Sequence, residues 1–212
     1  MMYTALLEEL MSSKIIAILR GVEPHYALPT GQAIIEGGVR FMEITMNTPG
    51  AEEMIAQWRE QFSQQAYVGA GTVIDVEHAK RAVAAGAQFI ISPNLDLEVI
   101  EYAQQHNIPV WPGVITPTEI LAARKAGAEA IKLFPMGSLG LQYLREVRGP
   151  IADYPIIATG GVTLDNISEY FAAGANAVGM GTKLVDLQAA REGRFKDITA
   201  TVKLHAAAVA KL

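Results

Sequence analysis

The chain has 212 residues, half of them hydrophobic and 18% charged, so it can bury a sizeable core and is not a disordered segment. A formal charge of −5 with no basic run offers no nucleic-acid surface, and the absence of cysteine excludes disulfides and thiolate metal sites. The opening MMYTALLEELMSSK has no positive charge before Lys14, and Glu8 and Glu9 interrupt its apolar run, so it does not read as a secretory signal. No run reaches the roughly 18 uninterrupted apolar residues of a membrane span, and a soluble cytoplasmic protein is expected.

In chain order, the first stretch (2–12) reads as an extra helix closing one end of the fold. Strand-like runs follow at KIIAILR (14–20), FMEITM (41–46), AYVGAGTV (66–73), FIISPN (89–94), PVWPGV (109–114), AIKLFP (130–135), YPIIATGG (154–161) and AVGMG (177–181). Helical patterns separate them, among them PGAEEMIAQWREQF, DVEHAKRAVAAG, TPTEILAARKAG and TLDNISEYFAAG. Several begin with Asp or Thr and end with Gly, as capped helices do. The last helix is expected over about 195–211.

Four segments resemble one another: EGGVRF (36–41), AAGAQF (84–89), KAGAEA (125–130) and AAGANA (172–177). Each places a glycine between a helix-like and a strand-like run, where a left-handed terminator belongs. The intervals between Gly38, Gly86, Gly127 and Gly174 are too long for one strand and one helix and suit two of each. The strands are apolar on both faces, as in parallel sheets covered by helices. Eight such units in one domain spanning 1–212 define a (β/α)8 TIM barrel with an extra N-terminal helix. The rival is an open doubly wound sheet, which usually carries an early GxGxxG turn. Here the glycine-rich signals come late, after the seventh and eighth strands.

In such a barrel the chemistry sits at the C-terminal ends of the strands. Side-chain alternation puts Ile131 and Leu133 on one face of the sixth strand and Lys132 and Phe134 on the other. In the second strand Glu43 shares its parity with Phe41 and Thr45. If the aliphatic residues face the helices, Lys132 and Glu43 both face the axis, from strands opposite one another. Arg20 ends the first strand, Thr72 the third, and Ser92-Pro93-Asn94 the fourth.

Lysine is seldom found inside a strand, because an unpaired buried charge is costly. A structural ion pair with Glu43 is one explanation for Lys132. A Schiff-base amine, with its ammonium form disfavoured by burial and by the nearby Arg20, is another, and the two are compatible. The planar guanidinium of Arg20 suits a carboxylate; a rim salt bridge is its alternative. Thr72 is a candidate ligand or a plain β-branched strand residue. ATGGV (158–162) and GMGT (179–182) let backbone N–H groups approach an anion, with Thr182 adding a hydroxyl; tight turns alone are the alternative. His25, His78, His106 and His205 have no metal-ligand spacing. Met46, Met54, Met136 and Met180 read as core or pocket fillers.

From AILRG (17–21) through MGTKL (180–184), the chain resembles the class I 2-keto-3-deoxy-6-phosphogluconate (KDPG) / 4-hydroxy-2-oxoglutarate (KHG) aldolases. Two signatures carry the resemblance: GVRFMEIT (38–45) and GAEAIKLFP (127–135). It implies Lys132 as the imine-forming residue and Glu43 as the general acid/base. Arg20, Thr72 and Pro93 would surround a pyruvate moiety, with Phe134 packed beside the lysine. Gly160, Gly161, Gly181 and Thr182 would hold a substrate phosphate. The implied reaction is retro-aldol cleavage of a small phosphorylated 2-keto-3-deoxy acid to pyruvate and an aldehyde, without metal or organic cofactor. A homotrimer is implied as well. Three positions depart from the usual pattern. Met46-Asn47 stands where phosphogluconate-cleaving members carry Leu-Arg, and Met136 where Ser or Ala is common. NTP (47–49) leans towards the phosphogalactonate aldolases. A phosphate-sugar isomerase or epimerase on the same barrel, with Lys132 purely electrostatic, is the alternative reaction class, and a sensor without turnover is a third reading.

Overall fold

The computed structural model describes residues 4–212. Its elements run α1 (Ala5–Ser13), β1 (Ile15–Leu19), α2 (Pro24–Glu36), β2 (Phe41–Thr45), α3 (Ala51–Phe62), β3 (Tyr67–Gly71) and α4 (Val76–Ala84). Then come β4 (Ile90–Ile91), α5 (Leu97–Gln105), β5 (Val110–Trp111), β6 (Gly113–Val114), α6 (Pro117–Lys125), β7 (Ile131–Leu133) and α7 (Met136–Arg148). β8 (Ile156–Thr159), α8 (Ile167–Ala172), β9 (Ala177–Met180), α9 (Leu187–Arg191) and α10 (Phe195–Val209) complete the chain.

All strand pairs are parallel, in the order β5-β4-β3-β2-β1-β9-β8-β7-β6. β5 and β6 lie on either side of Pro112 in one extended segment, so the two ends of that order meet and the sheet closes. Proline has no N–H to donate and cannot continue a ladder, which divides the fifth predicted strand in two. The Pro112 carbonyl still accepts the Lys132 N–H at 2.8 Å. The eight expected strand positions are therefore all present, mostly shorter than their apolar runs.

The local signals act as expected. Gly38, Gly86, Gly127 and Gly174 all take positive φ. Asp75 caps α4 by accepting the His78 N–H, and Thr116 with Glu119 forms a capping box at α6. The expected first helix is α1; residues 2 and 3 of that stretch lie outside the described residues. Helix α9 is not foreshadowed by periodicity, being short, but Asp186 caps it by accepting from Gln188 and Ala189.

Two apolar layers result. The larger lies between sheet and helices and includes Ile131 and Leu133. The smaller fills the lower barrel: Ile16, Phe41, Phe89, Trp111 and Ile157, plugged from below by Leu7 and Leu10 of α1. The Phe89 and Trp111 rings stack at 4.9 Å between centroids. Thr4 ties α1 to the barrel, its N–H and hydroxyl donating to the Glu129 carboxylate at 3.0 and 2.8 Å. The aromatic floor leaves only the upper axis open to polar groups, and it supports the residues above it.

Candidate active site

Above that floor the axis changes character. Glu43 stands two residues beyond Phe41 on the same face of β2 and is 1% exposed. Lys132 stands two residues beyond Ala130, itself part of the floor, and is 5% exposed. Strand alternation has carried one carboxyl and one amine into the centre of a closed sheet.

Glu43 has room because its neighbour on β3 is a glycine. A Cβ built on Gly71 would collide with the Glu43 Oε1 and lie 2.6 Å from its Cδ. Glu43 Oε2 is buried and has no hydrogen-bond partner among the described residues. Burial therefore governs its titration. Its pKa is raised from 4.5 to about 7, with Lys132 and Arg20 opposing the rise electrostatically. Burial likewise depresses the pKa of Lys132; the Glu43 charge opposes this and Arg20 adds to it. No direct ion pair joins Lys132 to Glu43 among the described residues. The structural-pair explanation thus gives way to two desolvated groups acting on one another through space. The Lys132 Nζ lies 4.7 Å from the centroid of the Phe134 ring.

A cavity of about 310 Å³ reaches Lys132 and is lined also by Arg20, Phe134, Gly160, Gly161, Gly181 and Thr182; Glu43 lies outside its lining. Gly160 and Gly161 both take positive φ, 95° and 74°. A Cβ on Gly161 would meet the Gly137 Cα at 2.6 Å, so the turn after β8 packs directly on the start of α7. This close approach is available only to glycine.

Other expected site residues gather less directly. Thr72 holds Arg20: its hydroxyl accepts from Nη2 at 3.0 Å. Pro93 borders an adjoining cleft of about 400 Å³ rather than the cavity over Lys132; Phe134 lines both. Two lining residues were not singled out from the sequence, and Asn47 was singled out only as a departure from the family pattern. Thr159, buried on β8, and Lys183, exposed beside Thr182, line the cavity. Asn47 accepts from Arg20 Nη1 at 3.0 Å. The parity of Thr159 with Ile157 was a usable signal; Lys183 and Asn47 lie in loops, where no periodicity applies.

A parallel barrel with an amine and a near-neutral carboxyl at its axis, under a glycine-rich mouth, is a site for proton transfer and covalent chemistry on a small carbonyl compound. The profile of the KDPG and KHG aldolase family matches residues 6–201. The 2-dehydro-3-deoxy-6-phosphogalactonate aldolase of Escherichia coli (strain K12) is 35% identical over 92% of this chain and 96% of its own length. The 2-dehydro-3-deoxy-phosphogluconate aldolase of Treponema pallidum (strain Nichols) is 34% identical over 91% and 92%. The crystal structure of KDPG aldolase from Legionella pneumophila superposes with a TM-score of 0.86 at 30% identity, over 92% of this chain and 94% of that one. That structure holds pyruvate captured at low pH as a covalent carbinolamine intermediate. The chain belongs to the KDPG and KHG aldolase family and is accordingly a lyase. No helix among the described residues is long and apolar enough to cross a membrane.

Proposed function

We propose that this chain, acting as one barrel domain, is a class I aldolase that reversibly cleaves a 2-keto-3-deoxy-6-phospho sugar acid of the gluconate or galactonate type, and 4-hydroxy-2-oxoglutarate. The products are pyruvate and an aldehyde such as glyceraldehyde 3-phosphate or glyoxylate. The observation that carries this reading is the pair at the axis: Lys132, with a pKa depressed by burial, beside Glu43, with a pKa raised to about 7.

Lys132 attacks the C2 carbonyl, and loss of water gives an iminium that serves as an electron sink. Glu43 takes the proton of the C4 hydroxyl. The C3–C4 bond electrons flow into the iminium, leaving an enamine on Lys132 and releasing the aldehyde. Glu43, now protonated, returns its proton to C3, and water hydrolyses the iminium to free pyruvate and the amine. A carboxyl titrating near neutrality suits both directions of transfer. Arg20, held by Thr72, receives the substrate carboxylate, so that the carbonyl meets the amine in near-attack geometry. Phe134 and Pro93 shape the apolar side. Gly160, Gly161, Gly181 and Thr182 receive the phosphate, with Lys183 supplying charge beside them. The reaction calls on no metal or organic cofactor.

The family resemblance supports a homotrimer, and exposed Ile74, Leu97 and Ile115 offer apolar surface for subunit contact. A cytoplasmic setting fits the phosphorylated substrates and the cysteine-free chain. The test is borohydride reduction in the presence of pyruvate, followed by peptide mass spectrometry. A pyruvate-derived adduct on Lys132 is expected. An intact, folded protein with no adduct, or with the adduct on another lysine, refutes the mechanism.

A further inference from the structure

We propose that Asn47 is a positioning residue: it holds the Arg20 guanidinium at the cavity with an acceptor that carries no charge, leaving the cation free for the substrate carboxylate. The inference rests on the reading of Arg20 given above.

Arg20 directly follows β1, and its side chain is exposed. A long side chain in such a place has ample rotamer freedom, and something must restrict it if it is to clamp a ligand. Two acceptors from two different loops do so. Asn47 Oδ1 accepts from Nη1 and Thr72 Oγ1 from Nη2, both at 3.0 Å. The Asn47 loop is itself fixed. Thr48 Oγ1 accepts the Gly21 N–H at 2.9 Å and contacts the Thr45 Oγ1 at 2.9 Å. The Met46 N–H donates to the Gly71 carbonyl at 2.8 Å. The segment after β2 thus grips the Arg20 side chain through Asn47 and the next residue's backbone through Thr48.

The grip on Arg20 is made by neutral acceptors, whereas carboxylates hold several other arginines. Arg40, Arg81, Arg191 and Arg194 are each held by carboxylates, from Glu9, Glu52, Glu23, and Glu192 with Asp197. Arg20 makes no ion pair among the described residues; its partners are an amide and a hydroxyl. A carboxylate at position 47 would bind the guanidinium at least as strongly but would neutralise it. With Asn47 the guanidinium is oriented and keeps its charge. That charge acts on two other ionisable groups at the axis, Lys132 and Glu43, lowering the pKa of both.

The experiment compares Asn47→Ala, Asn47→Asp and Asn47→Ser with the wild-type protein. It follows the pyruvate dependence of borohydride trapping and of solvent proton exchange into pyruvate, across the neutral to mildly alkaline range, with Tm alongside. Asn47→Ala, losing a hydrogen bond to a charged group, is expected to raise half-saturating pyruvate about tenfold or more, with a smaller change in maximal rate. Asn47→Asp keeps the hydrogen bond yet weakens pyruvate binding as well. It also moves the rising limb of the pH profile to higher pH, because the Arg20 field on Lys132 and Glu43 is cancelled. Asn47→Ser, a neutral acceptor, recovers part of the loss seen in Asn47→Ala. The proposal is overturned if Asn47→Asp matches wild type in pyruvate affinity and pH limb, or if every loss merely tracks a fall in Tm. If the wild-type protein itself forms no adduct, the aldolase reading falls and this inference with it.

Discussion

Replacing Glu43 by Gln tests the electrostatics of the axis directly. Gln matches the neutral carboxylic acid in size and lacks its acidity, so the variant isolates ionisation. The Glu43 pKa is 4.5 when solvated and about 7 in the fold. Below the lower value the residue is protonated in both states, and wild type and Glu43→Gln should be equally stable. As pH rises from 4.5 to about 7 the unfolded chain ionises while the fold still holds the proton, so wild-type stability falls relative to the variant. Above about 7 both states are ionised and the gap stays constant. Each tenfold difference between the two ionisation constants is worth about 1.36 kcal/mol, so the gap reaches ~3 kcal/mol. Urea unfolding at matched protein concentration, at roughly pH 4 and roughly pH 8, reads this as a midpoint difference that opens only at the higher pH. Glu43→Gln should lose cleavage throughout. A stability difference independent of pH, or one favouring wild type at pH 8, would refute the claim that desolvation outweighs the Lys132 and Arg20 charges at Glu43.

Lys132→Met keeps the volume of the lysine stem and removes the ammonium. Cleavage and the pyruvate adduct should vanish, while Tm at neutral pH stays level or rises. The depressed pKa of Lys132 means that its charged form burdens the fold at every pH below the solvated value of 10.5; a large fall in Tm would contradict this. Gly71→Ala forces a methyl group into the Glu43 carboxyl. It should cost about 1–3 kcal/mol of stability by overpacking and roughly 10²-fold in kcat by displacing the proton-transfer group; wild-type turnover would show that Glu43 is not held against β3. Thr182→Glu sets a negative charge at the cavity mouth. It should raise KM for phosphorylated substrates far more than for 4-hydroxy-2-oxoglutarate, and equal losses would count against a phosphate subsite there.

Much of the site was legible because it lies on strands. Alternation along FMEIT and AIKLF puts Glu43 and Lys132 on the axial face, and the neighbouring apolar residues leave no other assignment that buries them. The late glycine pairs marked the mouth for the same kind of reason, since positive φ at Gly160 and Gly161 is a property of residue type. Pro93 shows where such reasoning weakens. It follows the end of β4, but that strand end borders only the adjoining cleft, and Phe134 is the residue that lines both cavities.

The sequence by itself determined the element order, the strand–helix alternation and the strand parity of Lys132 and Glu43, because repeated glycine stops and strand periodicity are encoded within a few neighbouring residues; closure of the sheet is seen in the structure. Tertiary structure alone decided what those groups become. The absence of a direct ion pair, the space lent to Glu43 by Gly71 and the neutral grip of Asn47 on Arg20 arise between residues 27 or more positions apart in the chain. Hydrogen bonds and desolvation depend on distances of a few ångströms in space, which separation along the chain does not specify.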